Sequence, residues 1–448
     1  MHAIRKTGIL LIMKLYSSLR FCLIPILMTS PFAHAQSNYL KVGEAKVKKS
    51  VLALSPPLTD ALHLANATQV AKTIQDDLSF VDFFNLLPAS GFPQANIKTT
   101  TEIKYPEWIK SGVDYLSLSD LKIQDSRIVL EFHLVSTGGG KEVFGKRYTA
   151  DVEEQKTLAH TVANDLVQTI TGKRGIFLTK LAFQCDKTGK KEIYTSNFDG
   201  SEVHQVTKLR SLAMSPSWNP DGTKIAFSVY NRHSDNIKNI DLFELSFTNG
   251  ALKLLSNHKG INSGANYSPV GNTLAYTMSY TGNPEIHLLD LATRESTQLT
   301  KSVGFDVDPA FSPDGQKLAF VSTRAGKPML YVMDIKTPAS VKRLTYAGQF
   351  NATPNWSPDG KKIVFASSID GRFDLFTITA DGSKIERVTK NEGNNEDPSY
   401  SPDGNFLAFS SNRSKGKNIF FMNAEGGNVK RLTFGLGNCV SPKWSPYL

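Results

Sequence analysis

The sequence predicts a six-bladed β-propeller, an all-β fold, preceded by a small α/β domain. A motif of an aromatic residue, a polar residue, Pro and usually Asp-Gly recurs every 44 to 49 residues in the second half of the chain. Each repeat holds apolar stretches of strand length, and the last repeat is cut short. At 448 residues the chain also exceeds the roughly 250 to 300 residues at which a single core stops growing.

The first 35 residues are predicted to be a signal peptide. Lys14 and Arg20 precede an apolar run at residues 21–28, and the small residues Ala33 and Ala35 precede a cleavage site before Gln36. The run is shorter than the roughly 20 residues that a membrane-spanning helix needs. We therefore expect a secreted, soluble mature chain.

An N-terminal mobile arm and the α/β domain are expected next. Residues 36–49 carry four lysines without an amphipathic pattern, which is typical of an arm. Residues 50–172 alternate between strand and helix patterns. The strand patterns cover residues 50–55, 83–88, 115–123, 128–136 and 143–149, and the helix patterns cover residues 64–78, the region of Trp108 and the region of 158–170.

The closing helix of this domain has start and stop signals. Asp151 with Glu154 three residues later has the spacing of a capping box. The apolar stripe follows at i, i+4 spacing: Leu158, Val162, Leu166 and Ile170. Gly172 is suited to end the helix, and residues 173–175 are a short linker.

The repeats themselves predict propeller blades over residues 176–448. They begin at Trp218, Tyr267, Phe311, Trp356, Tyr400 and Trp444. Pro presets φ for the second turn position, Asp bonds its own backbone, and Gly takes a positive φ. In the repeat at Trp356 three further strands are expected at residues 363–367, 374–379 and 385–389. Four strands in about 45 residues are typical of a propeller blade.

The closing blade is predicted to combine both ends of the repeat region. The final repeat stops at Leu448 before its second strand, and residues 176–183, 192–197 and 203–207 supply the missing strands. Such closure removes free sheet edges. Alignment of the repeats brings Cys185 and Cys439 together on neighbouring strands of this blade. We hypothesise a disulfide, which the chain-entropy model values at roughly 5 kcal/mol; the alternative is two buried free thiols.

Several chemistries lack their signature residues, and we expect no enzyme, cofactor or metal. No serine has glycine on both sides in a Gly-x-Ser-x-Gly motif, and no phosphate loop is present. The basic residues after position 175 are scattered among acidic ones, which argues against nucleic-acid binding. Asp306, Asp308, Glu396 and Asp397 are expected to face the channel mouth. A cation there, or a carboxylate pair of a propeller hydrolase or lyase, is the alternative to solvated loop acids.

The mature chain resembles the TolB family. The resemblance is carried by Trp108 with residues 112–115, by residues 159–177 through the junction Thr-Gly-Lys-Arg-Gly-Ile-Phe, and by the C-terminal Trp-Ser-Pro-Tyr-Leu. It implies a monomeric periplasmic component of the Tol-Pal system that maintains envelope integrity and acts at cell division. The implied partners are the lipoprotein Pal, the protein TolA and other outer-membrane or peptidoglycan-associated proteins.

The resemblance also implies two binding regions. Pal is expected on the propeller face around the channel mouth, in loops that include Met214, Ile261, Gly264, Val307, Asp308, Thr353, Asp397 and Val440. Ile261 and Ala265 depart from residues that relatives carry, His and Pro. The arm after signal cleavage is expected to face TolA through Tyr39, Leu40 and Val42, although this segment matches the family poorly and a disordered tail is the alternative.

Overall fold

The computed structural model describes residues 49–81, 83–233 and 238–448. The predicted signal peptide and residues 36–48 of the predicted arm, with Tyr39, Leu40 and Val42, lie outside the described residues. Among the described residues, no helix has the length and apolar content required to cross a membrane.

The α/β domain is a five-stranded sheet with helices on both faces. Its elements are β1 (Ser50–Ala53), α1 (Leu64–Phe80), β2 (Phe84–Leu86), α2 (Tyr105–Lys110), β3 (Tyr115–Gln124), β4 (Arg127–Ser136), β5 (Lys141–Asp151) and α3 (Gln155–Thr171), with 3₁₀ turns at Ala89–Gly91, Thr100–Glu102 and Val152–Glu154. The strand order is β2-β1-β3-β4-β5. α1 and α3 share a core with one face of the sheet, and Trp108 of α2 packs against β1 and β3 on the other.

The closing helix α3 differs from the expectation at its start. The predicted capping box does not form, because Asp151 is still part of β5 and a 3₁₀ turn at Val152–Glu154 comes before the helix. Neither the 3₁₀ turn nor α3 has a side-chain hydrogen bond at its N-cap. The backbone N–H of Gln155 bonds the carbonyl of Val152 instead. The end is as expected, since Gly172 adopts a left-handed φ of 71°.

The propeller consists of six four-stranded sheets. In chain order its strands are β6 (Lys180–Cys185), β7 (Glu192–Asn197), β8 (His204–Gln205), β9 (Leu212–Trp218), β10 (Lys224–Arg232), β11 (Lys238–Ser246), β12 (Leu252–Ser256), β13 (Asn262–Tyr267), β14 (Thr273–Met278), β15 (Glu285–Asp290), β16 (Ser296–Gln298), β17 (Asp306–Phe311), β18 (Lys317–Ser322), β19 (Met329–Asp334), β20 (Thr337–Arg343), β21 (Phe350–Trp356), β22 (Lys362–Ile369), β23 (Arg372–Thr379), β24 (Ile385–Arg387), β25 (Asn395–Tyr400), β26 (Phe406–Ser411), β27 (Asn418–Asn423), β28 (Lys430–Arg431) and β29 (Cys439–Trp444). Blades one to five are β9–β12, β13–β16, β17–β20, β21–β24 and β25–β28. The structure is thus the six-bladed propeller with a preceding α/β domain that the sequence predicts.

The first strands of successive blades contact one another and surround a central channel. Each of these strands ends in a buried aromatic residue of the repeat: Trp218, Tyr267, Phe311, Trp356, Tyr400 or Trp444. Hydrogen bonds link neighbouring blades at this level. The Oδ1 atom of Asn266 accepts a bond from the backbone N–H of Phe311, and Asn355 does the same for Tyr400, both at 2.8 Å. The repeated aromatic position therefore holds the blades together as well as forming the core.

The closing blade has the strand order β29-β6-β7-β8, so it combines both ends of the repeat region. The outermost strand, β8, is shorter than the predicted residues 203–207, since only His204 and Gln205 pair with β7. A disulfide joins Cys185 to Cys439, and both cysteines are fully buried. Beside it, Asp186 accepts bonds from the backbone N–H and the side-chain amide of Asn438 at 2.6 and 3.0 Å. A covalent and a polar link thus close the ring at one end of the same seam.

The α/β domain packs against the last two blades through an aromatic cluster. The ring of Phe80, at the end of α1, stacks on Phe421 at 4.1 Å and lies 5.1 Å from Phe198 and Phe406. Phe406 follows the Ser-Pro-Asp-Gly turn of blade five after one residue, Asn405. We call this side of the propeller the turn end; it carries the loops between strands one and two and between strands three and four of each blade. The open end carries the loops between strands two and three and those that join one blade to the next.

Candidate functional site

A ring of six backbone bulges lines the channel toward the open end. In each blade the pairing between the first and second strands shifts register once. One residue at each bulge has a left-handed φ between 50° and 63°: Ser215, Gly264, Asp308, Thr353, Asp397 and Ser441. These residues line one narrow cavity of about 100 Å³ together with Lys443. Because a bulge redirects the side chains of its strand, the fold presents six non-equivalent positions to the channel.

Four of the residues predicted for a partner-binding face therefore lie together in the channel: Gly264, Asp308, Thr353 and Asp397. Met214, Val307 and Val440 each directly precede a bulge residue and are partly buried. Val307 also packs against the core between blades three and four. Ile261 lies in the loop before β13, where its backbone N–H bonds the hydroxyl of Ser279 at 2.8 Å. These four residues form the inner rim of the open end.

Three charged side chains dominate the channel. Asp397 accepts bonds from the backbone N–H and the hydroxyl of Ser441 and from the hydroxyl of Ser410, at 3.1 to 3.3 Å. Burial raises the pKa of Asp308; the ammonium of Lys443 opposes this rise and the carboxylate of Asp397 adds to it. Burial lowers the pKa of Lys443 against the opposing effect of the two carboxylates. The recess is therefore polar and offers both donors and acceptors to a group that enters from the open end.

The expectation that four acids face the channel mouth together is wrong for two of them. Asp306 is fully buried and forms an ion pair with Arg324 at 2.8 Å, and Glu396 forms one with Lys417 at 2.6 Å. Alternate residues of a strand normally share a face, but the bulge after Val307 breaks that alternation. Within the described ranges no group of three or more His, Cys, Asp or Glu side chains is placed to hold a metal ion.

Exposed apolar residues surround the open end, and the sequence analysis missed them. Val303, Tyr346 and Phe434 lie in the loops before β17, β21 and β29, with 95%, 74% and 67% of their surface exposed. Tyr280, in the loop between β14 and β15, is 61% exposed. The sequence does carry a signal for three of these residues. Val303, Tyr346 and Phe434 each stand shortly after the threonine that ends the preceding repeat. Exposed apolar residues grouped around a recess are typical of a surface that binds another protein.

The comparisons with known proteins agree with this architecture. The family model of the TolB amino-terminal domain matches residues 38–143, and that of the TolB beta propeller domain matches residues 167–368 and 350–447. A TolB homolog of Chlorobium chlorochromatii is 33% identical over 301 residues, which cover 65% of each chain. The Tol-Pal system protein TolB of Geobacter metallireducens is 36% identical over 213 residues, 46% of this chain and 48% of the relative.

The chain thus spans between about half and two thirds of the length of these curated relatives, and the name of the second refers to the Tol-Pal system. Among solved structures, TolB of Acinetobacter baumannii is similar with a TM-score of 0.77 and 23% identity, over 89% of this chain and 97% of that one. That likeness concerns the fold. Because the two family models together match most of the chain, the protein belongs to the TolB family.

Proposed function

We propose that the protein is a non-enzymatic binding scaffold of the periplasm, which binds the lipoprotein Pal at the open end of its propeller and communicates with TolA. In this role it maintains outer-membrane integrity and supports envelope constriction at cell division. The observation that carries the proposal is the open end itself: exposed apolar side chains surround a polar recess. The names of the relatives, which refer to the Tol-Pal system, support the choice of partner.

The position of the α/β domain supports the choice of face. Its aromatic contacts with the propeller are made at the turn end, around Phe80 and Phe406. The bulge ring and the exposed residues Val303 and Tyr346 lie toward the opposite end. A partner that docks at the open end therefore meets apolar side chains on the rim and polar groups in the centre, the combination from which binding hot spots are built.

The arm is proposed to contact TolA, as an extension of the same scaffold. Binding of Pal and TolA is then expected to be coupled, and the coupling free energy must be the same in both directions. Deletion of residues 36–48 is expected to abolish TolA binding while Pal binding persists. A deletion variant that binds TolA with unchanged affinity would remove the arm from the proposal and leave the Pal face untouched.

The test is calorimetric titration of the mature protein with the periplasmic domain of Pal from the same organism. Val303→Arg places a charge on the rim at a residue that is 95% exposed, so the fold should tolerate it. The matched control is Val270→Arg at the turn end, where the side chain is 55% exposed. We expect a loss of affinity of at least about tenfold, or about 1.4 kcal/mol, for the first variant only.

Each outcome bears on a different part of the proposal. Absence of saturable binding by the unmodified protein contradicts the scaffold function itself. Equal binding by both variants contradicts the open end as the docking face. Circular dichroism and thermal unfolding of both variants provide the check that a loss of binding does not come from a loss of folding.

A further inference from the structure

The two ends of the propeller carry opposite charge. In the described loops of the open end, thirteen lysine and arginine residues stand against three aspartate and glutamate residues. The loops of the turn end show the reverse, with nine acidic against four basic residues. The Asp-Gly turns account for much of this acidity, because the turn chemistry favours Asp at that position. The propeller is therefore electrically polar along its channel axis.

The positive charge of the open end is densest where the ring closes. We call this region the basic sector; it consists of Lys187, Lys190, Lys191, Lys208, Arg210 and Lys415. Five of these residues are exposed and Lys191 is partly exposed. None of the six forms an ion pair with another residue in the part of the chain that the structure describes.

Backbone and side-chain contacts make the sector continuous across three blades. Asn438 accepts a bond from the N–H of Lys417 through its side chain and from the N–H of Asp186 through its carbonyl. It thereby joins the loop of Lys415 to the loop of Lys187. The carbonyl of Lys191 in turn accepts a bond from the N–H of Ala213, the second residue of blade one, at 2.8 Å. The cations thus lie on neighbouring loops and act as one patch.

The remainder of the open end has a different character. On blade three, Asp306 neutralises Arg324, and the ammonium of Lys327 bonds the side chain of Gln349 at 2.7 Å. The exposed side chains there include the apolar Val303 and Tyr346 beside Lys301 and Lys327. The basic sector and the exposed apolar residues Val303 and Tyr346 therefore lie across the recess from each other.

We infer that the basic sector receives an acidic edge of the protein that docks at the open end, and that it fixes the rotational orientation of that partner about the channel axis. This inference rests on the proposed function. A folded protein fits the surface better than an anionic membrane does, because the basic sector, the polar recess and the exposed apolar residues of the rim are three different chemical regions. A flat layer of anionic headgroups presents the same charge to the whole rim and does not enter the recess, whereas a folded partner can match each region separately.

Charges on the rim of an interface act mainly on the association rate. They steer diffusion toward the correct face and lose their effect as salt shortens the Debye length from about 10 Å at 0.1 M to about 3 Å at 1 M. Reversal of three of the six unpaired cations should therefore slow association by at least about tenfold at low salt. The dissociation rate should change much less.

The experiment compares two triple charge reversals of equal size. Lys187→Glu, Lys190→Glu and Lys415→Glu change the basic sector, and Lys317→Glu, Lys336→Glu and Lys361→Glu change exposed lysines of the turn end. The association rate with the periplasmic domain of Pal is measured by stopped-flow fluorescence at 0.05 and 0.5 M NaCl. We expect the first variant to lose the rate advantage at low salt and most of the salt dependence, while the control keeps both.

The failure of this inference is distinguishable from failure of the proposed function. If the unmodified protein binds Pal but both variants associate equally fast at low salt, the basic sector has no steering role and the inference is wrong. If the unmodified protein does not bind Pal, the proposed function fails first. Vesicles that contain 30% phosphatidylglycerol are titrated in parallel; binding to them that only the sector variant loses, with Pal association unchanged, would assign the sector to a membrane and overturn the inference.

Discussion

Removal of the disulfide by Cys185→Ala together with Cys439→Ala is expected to cost about 5 kcal/mol of unfolding free energy. The bond joins residues 254 positions apart, and the chain-entropy model for a loop of that length gives about 5 kcal/mol. Folded domains are stable by only roughly 5 to 15 kcal/mol in total. The single covalent link at the seam therefore supplies a large share of the stability of the ring.

The effect should arise in the unfolded chain more than in the folded one. On both sides of its bulge, β29 stays paired with β6, from Cys439 opposite Cys185 to Trp444 opposite Leu181. The bonds between Asp186 and Asn438 do not depend on the sulfur atoms. The variant should thus still close its propeller, while its unfolded chain gains the freedom that the cross-link had removed.

Urea unfolding followed by tryptophan fluorescence measures this loss, since Trp444 lies on β29 at the seam and the indole N–H of Trp218 bonds the carbonyl of Lys443 on the same strand. The midpoint is compared for the oxidised protein, the reduced protein and the double variant. Reduction should lower the midpoint of the unmodified protein to that of the variant and leave the variant unchanged. A variant within 1 kcal/mol of the oxidised protein, or two free thiols in the oxidised protein by mass spectrometry, would refute the reasoning.

Three further predictions concern the domain junction and the links between blades. Burial raises the pKa of Asp77 to about 6, and the pKa of His160, which burial lowers, is raised overall by its bond to Asp77. Both groups therefore bind protons more tightly in the folded protein than in the unfolded chain. The urea midpoint should fall as the pH rises from 4 through 6, and fall further above 6.5, and Asp77→Asn should flatten this dependence. If the variant keeps the same dependence of the midpoint on pH, the role of the pair is contradicted. Asn355→Ala leaves the buried N–H of Tyr400 without its partner and should cost about 1 to 3 kcal/mol by urea unfolding, whereas a loss below 0.5 kcal/mol would show that water replaces the bond. Phe80→Ala removes the central ring of the domain junction and should cost about 3 kcal/mol, with the α/β domain unfolding before the propeller in calorimetry; a single shifted transition would mean that the domains remain coupled without it.

The family resemblance indicated the channel positions, and alignment of the repeats with one another explains why they lie together. Gly264, Asp308, Thr353 and Asp397 occupy equivalent places relative to the aromatic residue that follows, and a regular propeller brings equivalent places together. The same reasoning grouped Asp306 with Asp308 and failed there, because a bulge separates their directions. Alternation along a strand is a local rule, and a bulge that breaks it is decided by the pairing with the neighbouring strand.

The sequence by itself determined the number of blades, their order and the seam at which the ring closes. These features depend on turn chemistry and on the spacing of aromatic residues, which are local properties of the chain. Only the tertiary structure decided that Asp306 is neutralised by Arg324, that the α/β domain contacts the turn end and that lysines from three blades form one basic sector. Such features depend on residues far apart in sequence, and their positions relative to one another follow from the packing of whole blades and not from any local pattern.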